Sequence, residues 1–163
     1  MWRILAILGG VSGAVALSQF PEFSQQYLQR LAGKVDALTE VAMQFDATAD
    51  RNGLTRDAAL VAMAGSPVLD DQQADMRATL ALQAGLASNL ATLRAAGPLE
   101  RLTMPQRFGD VDTLQAAYAD FKPAIPATTD GAITAGLGYV GGWALVGVLG
   151  SLLGLIFRRR RAV

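Results

Sequence analysis

From Ala132 to Phe157 the chain carries no charged residue, and the run ends at Arg158-Arg159-Arg160-Arg161. These 26 residues exceed the roughly 20 that a helix needs to cross a hydrocarbon core. An arginine block placed directly after such a run holds its end on the cytoplasmic side. The pattern predicts a transmembrane helix over 131–157 and a basic cytoplasmic tail over 158–163.

A second apolar segment lies at the other end. Ile4 to Leu17 is free of charge, and the stretch 2–20 carries aromatic rings at Trp2 and Phe20, where interfacial anchors are favoured. With Arg3 marking the inner side, 2–20 is expected to be a first transmembrane helix. Both termini then lie in the cytoplasm, and residues 21–130 project to the other side of the membrane. The alternative is a cleaved signal peptide, because Ala14-Val15-Ala16 offers a small-x-small cleavage site behind a short apolar stretch.

The charges are sorted accordingly. All fourteen acidic residues fall between Glu22 and Asp130, against nine basic ones, so this middle carries 9 − 14 = −5. A net acidic middle disfavours nucleic acid as a partner, since phosphate binding needs a basic face. The chain has no cysteine and no histidine. That removes disulfides, thiol nucleophiles and the commonest transition-metal ligand. No charged group lies inside either apolar segment, whereas ion pathways and proton relays depend on such groups.

Glycine is concentrated in the same segments. Gly9 and Gly13 are four apart, as are Gly138/Gly142 and Gly150/Gly154, with Gly136, Gly141 and Gly147 between them. Glycines four apart share a helix face and let two backbones approach closely. Gly9, Gly13, Gly138, Gly142, Gly147, Gly150 and Gly154 are therefore the candidate helix-packing residues, within the chain, between copies or against another protein. Arg3, Arg158, Arg159, Arg160 and Arg161 are the candidate topology and lipid-contact residues.

The middle reads as helix throughout, so the expected class is all-α: two transmembrane helices flanking an antiparallel helical hairpin or bundle. Leu28, Leu31, Val35, Leu38, Ala42 and Phe45 advance in alternating steps of 3 and 4, a heptad seam. Paired helices of this kind make a thin core, so the seam (Leu28, Leu31, Val35, Leu38 and Phe45) is expected to lie between copies or against another subunit. Asn52-Gly53 is a stop signal, Thr55 a cap for a short helix over 56–64, and Gly65-Ser66-Pro67 a break followed by a cap and a first-turn proline. The next helix runs to about Ala96 on an apolar stripe of Met76, Leu80, Leu86, Leu90 and Leu93. Asp110 or Asp112 caps a last short helix through Phe121. Lys122-Pro123-Ala124-Ile125-Pro126 forms an extended exit, and Thr129 or Asp130 caps the second membrane helix.

Leu17-Ser-Gln-Phe-Pro-Glu-Phe-Ser-Gln-Gln-Tyr-Leu-Gln-Arg-Leu-Ala-Gly33, and Pro123-Ala-Ile-Pro-Ala-Thr-Thr-Asp-Gly-Ala132 leading to Gly141-Gly142-Trp143, resemble the proteobacterial domain-of-unknown-function family 2937. The resemblance implies a bacterial membrane protein of about this length with apolar ends and a helical middle. It implies no activity and no cofactor.

Catalytic signatures are missing from the sequence. Asp70, Asp71 and Asp75, like Asp110 and Asp112, lack the spacing of a calcium loop and read as caps or solvated faces. Neither a nucleophile elbow nor a phosphate loop is present, and Gly136, Gly138 and Gly141 lie in an apolar run without a βαβ frame. The expected function is non-enzymatic: a structural or accessory inner-membrane protein that works by oligomerisation or as a small subunit of a larger membrane complex. Its expected partners are membrane lipids and copies of itself or other membrane subunits. The competing expectation is a periplasmic ligand-sensing helical module that needs a partner for its output.

Overall fold

Local capping fixes most of the helix boundaries. The computed structural model describes residues 2–123 and 128–159, with side-chain surroundings up to Leu152. Among these residues there is no strand. The helices are α1 (Trp2–Ser18), α2 (Phe20–Arg51), α3 (Arg56–Ala62), α4 (Pro67–Ala95), α5 (Pro98–Arg101), α6 (Val111–Ala119) and α7 (Thr129–Arg159), with a 3₁₀ turn at Pro105–Phe108 before α6.

Gly53 ends α2 in the left-handed region, at φ 69°, a conformation that glycine adopts without steric cost. The Thr55 hydroxyl accepts from the Ala58 amide and starts α3. Ser66 caps α4 by accepting from the Leu69 amide, with Pro67 in the first turn, where no donor is needed. Gly65, at φ 136°, makes the reversal between α3 and α4. The Asp70 carboxylate accepts from the Gly65 amide, which gives it a local capping role.

Several boundaries differ from expectation: α3 stops at Ala62, short of residue 64, and α6 at Ala119, short of Phe121. Pro21 does not separate the first apolar helix from the middle. It sits in the first turn of α2, the Phe23 amide donates to the Gln19 carbonyl at 2.9 Å, and only Gln19 stands between α1 and α2. A first-turn proline removes a donor that would have had no intrahelical acceptor, so the helix is not broken. At the other end, Thr128 caps α7, where Thr129 or Asp130 was expected. Its hydroxyl accepts from the Gly131 amide at 3.1 Å and its carbonyl from the Ala132 amide.

The chain divides into two compact units. One is built from Gln26–Gly97 and Pro105–Ala117. In it α2 and α4 run antiparallel, and the Gln83 amide donates to the Thr39 hydroxyl at 3.0 Å. Its core joins Tyr27, Leu28, Leu31, Val35, Ala42 and Ala49 from α2 with Leu86, Leu90 and Leu93 from α4, and with Leu60, Phe108 and Ala117. Tyr27 and Phe108 stack at a tilt with ring centroids 4.7 Å apart.

Part of the expected oligomer seam lies in this core. Leu28, Leu31 and Val35 are buried within a single chain, Leu31 to 0 % exposure, and Leu38 and Phe45 are half-buried. A heptad repeat requires an apolar partner face but does not say whose. Here the lower half of α4, the 3₁₀ turn and α6 supply it. In α4 itself, Leu86, Leu90 and Leu93 are buried, while Met76 and Leu80 are half-buried.

Candidate helix-packing site

The other unit contains Met1–Gln25, Pro98–Met104 and Tyr118–Val163. Its centre is the antiparallel pair α1 and α7, and glycine determines how close the two helices come. A Cβ added at Gly13 would run into the Gly138 carbonyl, and one at Gly138 into the Gly13 carbonyl. Gly9 and Gly142 oppose each other in the same way, with Val146 also against Gly9. The two four-residue spacings thus face each other, backbone on backbone. Glycine costs a helix roughly 0.5–1 kcal/mol per residue relative to alanine, so this concentration needs compensating contact. Close dispersion contact along both faces provides it.

Farther along the pair, the Trp2 indole lies over Gly150, in the space that a Cβ there would take. Tyr139 packs its ring against Gly10. Ala6, Gly10, Gly131, Thr134 and Gly138 are buried. Thr134, fully buried, satisfies its hydroxyl on its own helix, donating toward the Asp130 and Gly131 carbonyls.

The remaining candidate glycines behave differently. Gly147 meets nothing within 4 Å, nor do Gly136 and Gly141, so Gly147 is not a packing residue of this pair. The surroundings of Gly154, Arg158 and Arg159, and the residues Arg160 and Arg161, lie outside the described residues. Arg3 is exposed at the start of α1.

Outside this glycine interface the pair is covered with large apolar side chains. On α1, Ile4, Leu5, Ile7, Leu8, Val11 and Val15 are exposed. On α7, Ile133, Leu137, Val140, Trp143, Leu145, Val148, Leu149 and Leu152 are exposed, Trp143 to 51 %. The small residues are inside and the large apolar residues outside, the reverse of a water-soluble helix pair. Two helices, in the stretches Trp2–Arg51 and Thr129–Leu152, are long and apolar enough to cross a membrane.

The same unit holds one polar and one aromatic contact that the sequence did not reveal. Arg101 is 7 % exposed, and its guanidinium approaches the buried Ser24 hydroxyl at 3.4 Å. Burial pushes the Arg101 guanidinium below its ordinary pKa. Nearby, Phe23 and Phe121 meet edge to face with centroids 5.7 Å apart.

The unit built on α2 and α4 holds charged contacts around Lys34 and around Arg56. Lys34 donates to both oxygens of Asp110 at 2.9 Å, and the Thr113 hydroxyl donates to the same carboxylate. Asp110 therefore caps α6, and Asp112 is a looser partner of Lys34 at 3.7 Å. Burial alone would raise the Asp110 pKa, but the bonds from Thr113 and Lys34 outweigh it and hold the carboxyl below its ordinary value. Close by, the Tyr27 hydroxyl is buried near the Asp110 backbone with no close hydrogen bond among the described residues, and burial raises its pKa. At the α3 end, Arg56 grips Asp46 bidentately at 2.7 and 2.5 Å. Among the described residues, no group of three histidine, cysteine or acidic side chains is placed to hold a metal ion.

The family model described as "Protein of unknown function (DUF2937)" matches residues 1–161. No curated protein and no solved structure matches the chain.

Proposed function

The chain belongs to the DUF2937 family, and on that premise we propose that it is a structural or accessory protein of a bacterial inner membrane, without catalytic chemistry of its own. In this reading α1 and α7 form a membrane hairpin. Both termini lie in the cytoplasm, and the helical unit on α2 and α4 lies on the periplasmic side.

The observation that carries the reading is the inverted packing of α1 and α7. In water, an apolar surface of that extent would drive aggregation. In a bilayer it is an ordinary lipid-facing surface, and the glycine faces supply the close contact that helices need where no hydrophobic drive exists. Arg3 and the arginine block after the second span agree with the assigned orientation. The backbone-level contact of α1 with α7 favours a retained first span over a cleaved signal peptide.

Function then comes from assembly, either of copies or with other membrane subunits. The heptad face is filled within the chain, so the assembly surface is instead the outer side of α7, where Gly136, Gly141 and Gly147 leave open space. Mild detergent solubilisation followed by mass measurement tests this. Particles larger than one chain, or a co-purifying membrane subunit, are expected. A strictly monomeric, partner-free particle would exclude it. A cysteine placed at Gln44 should react with a membrane-impermeant reagent from the periplasmic side, and labelling only from the cytoplasm would reverse the orientation.

A further inference from the structure

An apolar groove opens where α1 ends. Its walls are Ala16 and Leu17 from the last turn of α1, Phe20 and Phe23 from the first turn of α2, and Tyr118 and Phe121, with a volume of about 290 Å³. Gln19 is the one strongly polar neighbour, and its amide donates to the Ser18 hydroxyl. The Phe23 and Phe121 rings, set edge to face, belong to its lining. We propose that this groove seats one acyl chain of a bilayer phospholipid.

The proposal rests on the membrane reading of α1 and α7. Continuity with the lipid-facing surface identifies the occupant. Val11 and Val15 are exposed on α1, and Ala16, the next residue, is both exposed and part of the groove wall. The groove therefore begins on the surface that faces acyl chains. Its position is that of the interface, because charge returns to the chain within a few residues, at Glu22 and Lys122, both exposed.

The lining chemistry agrees. Tyr118 is 75 % exposed, yet its ring forms a wall of an otherwise apolar groove. A tyrosine placed so, with an apolar body and a polar tip, suits the boundary between hydrocarbon and headgroups. Facing water, the four aromatic rings would present an adhesive patch. An acyl chain entering from the bilayer covers them without exposing its own methylenes. A lipid held in this way would persist around the protein longer than the freely exchanging lipids beside α7.

Tryptophan quenching by acyl-brominated lipid tests the proposal on the full chain in phosphatidylglycerol vesicles. The W2F variant leaves Trp143 as the reporter of the α7 surface. The variant W2F/W143F/Y118W reports on the groove. Both reporters are expected to lose roughly half or more of their emission, as rings in van der Waals contact with the brominated chain. Adding A16F, whose ring fills the groove, should restore most of the emission at position 118. In the W2F background the same change should leave Trp143 unaffected. F20W cannot serve as a filler because it adds a fluorophore, so A16M provides the second groove-filling variant.

Quenching of Trp143 without quenching at position 118 overturns the groove proposal and spares the membrane reading. Quenching at position 118 that is indifferent to both fillers also overturns it, since the ring would then be merely immersed. Absence of quenching at both reporters removes the membrane reading and the proposal together.

Discussion

The two units are built from helices of similar make and solve opposite packing problems. In the unit on α2 and α4, the interior is Tyr27, Leu28, Leu31, Leu90 and Leu93, and charged residues such as Asp36, Glu40 and Arg77 face outward. In the unit on α1 and α7, glycine is inside and Leu, Ile, Val and Trp are outside. The first arrangement removes apolar area from water, at roughly 25 cal/mol per Å². The second, in the bilayer proposed for it, would have no such gain to make and would rely on backbone proximity. One chain thus carries two opposite packings, large apolar side chains inside one unit and glycine inside the other.

Enlarging a residue at the glycine interface should break this contrast most severely. Gly13→Leu places side-chain atoms where the Gly138 carbonyl lies. It should separate α1 from α7, seen as loss of disulfide formation between cysteines introduced at Ala6 and Val146 in membranes. Gly136→Leu, with nothing within 4 Å, should leave that cross-link intact. Equal damage from both variants would show that glycine content matters and the facing pair does not.

In the other unit the damaging change runs the opposite way, from large to small. Leu31→Ala empties a fully buried site and should cost about 2–5 kcal/mol in denaturant unfolding followed by circular dichroism. A loss under about 1 kcal/mol would mean that the α2 and α4 core is not closed within one chain.

Asp110 gives a smaller, pH-dependent effect. Its pKa is lower folded than unfolded, so its contribution is present above the unfolded value of about 4 and fades as pH falls through the folded value. Asp110→Asn should lower the melting temperature at neutral pH and have progressively less effect as the pH drops below about 4. A pH-independent deficit would assign its role to geometry alone. The smallest effect is expected at Tyr27. Its hydroxyl makes no close hydrogen bond among the described residues, so Tyr27→Phe should be neutral or stabilising by up to about 1 kcal/mol.

Much of the secondary structure was legible because it is set locally. Thr55, Ser66-Pro67 and Gly53 act within one turn, and the structure uses each in the expected place. The cap of α7 and the ends of α3 and α6 were misplaced by a residue or two, because helix termini are the least sharply coded part of an element. What the sequence could not settle was which faces meet. The heptad positions from Leu28 to Phe45 fit an intrachain core and an intermolecular seam equally well. Gly142 and Gly147 look alike in a glycine-rich run, although only Gly142 lies against α1. The pairing of Lys34 with Asp110 joins residues 76 positions apart, and no spacing rule reaches that far. Composition did carry one signal for the aromatic groove, the rings of Phe20, Phe23, Tyr118 and Phe121 near the two ends of the middle, but their convergence requires the fold.

The facing glycines of α1 and α7 come from opposite ends of the chain, with 110 residues between Ser18 and Thr129. A ribosome working at about 5–20 residues per second needs on the order of ten seconds to make that interval. On the proposed membrane reading, the first helix would wait in the bilayer throughout that interval with its groove of bare backbone uncovered. On that same reading, biogenesis would include a solitary stage in which the first helix has to be sheltered until its mate is synthesised.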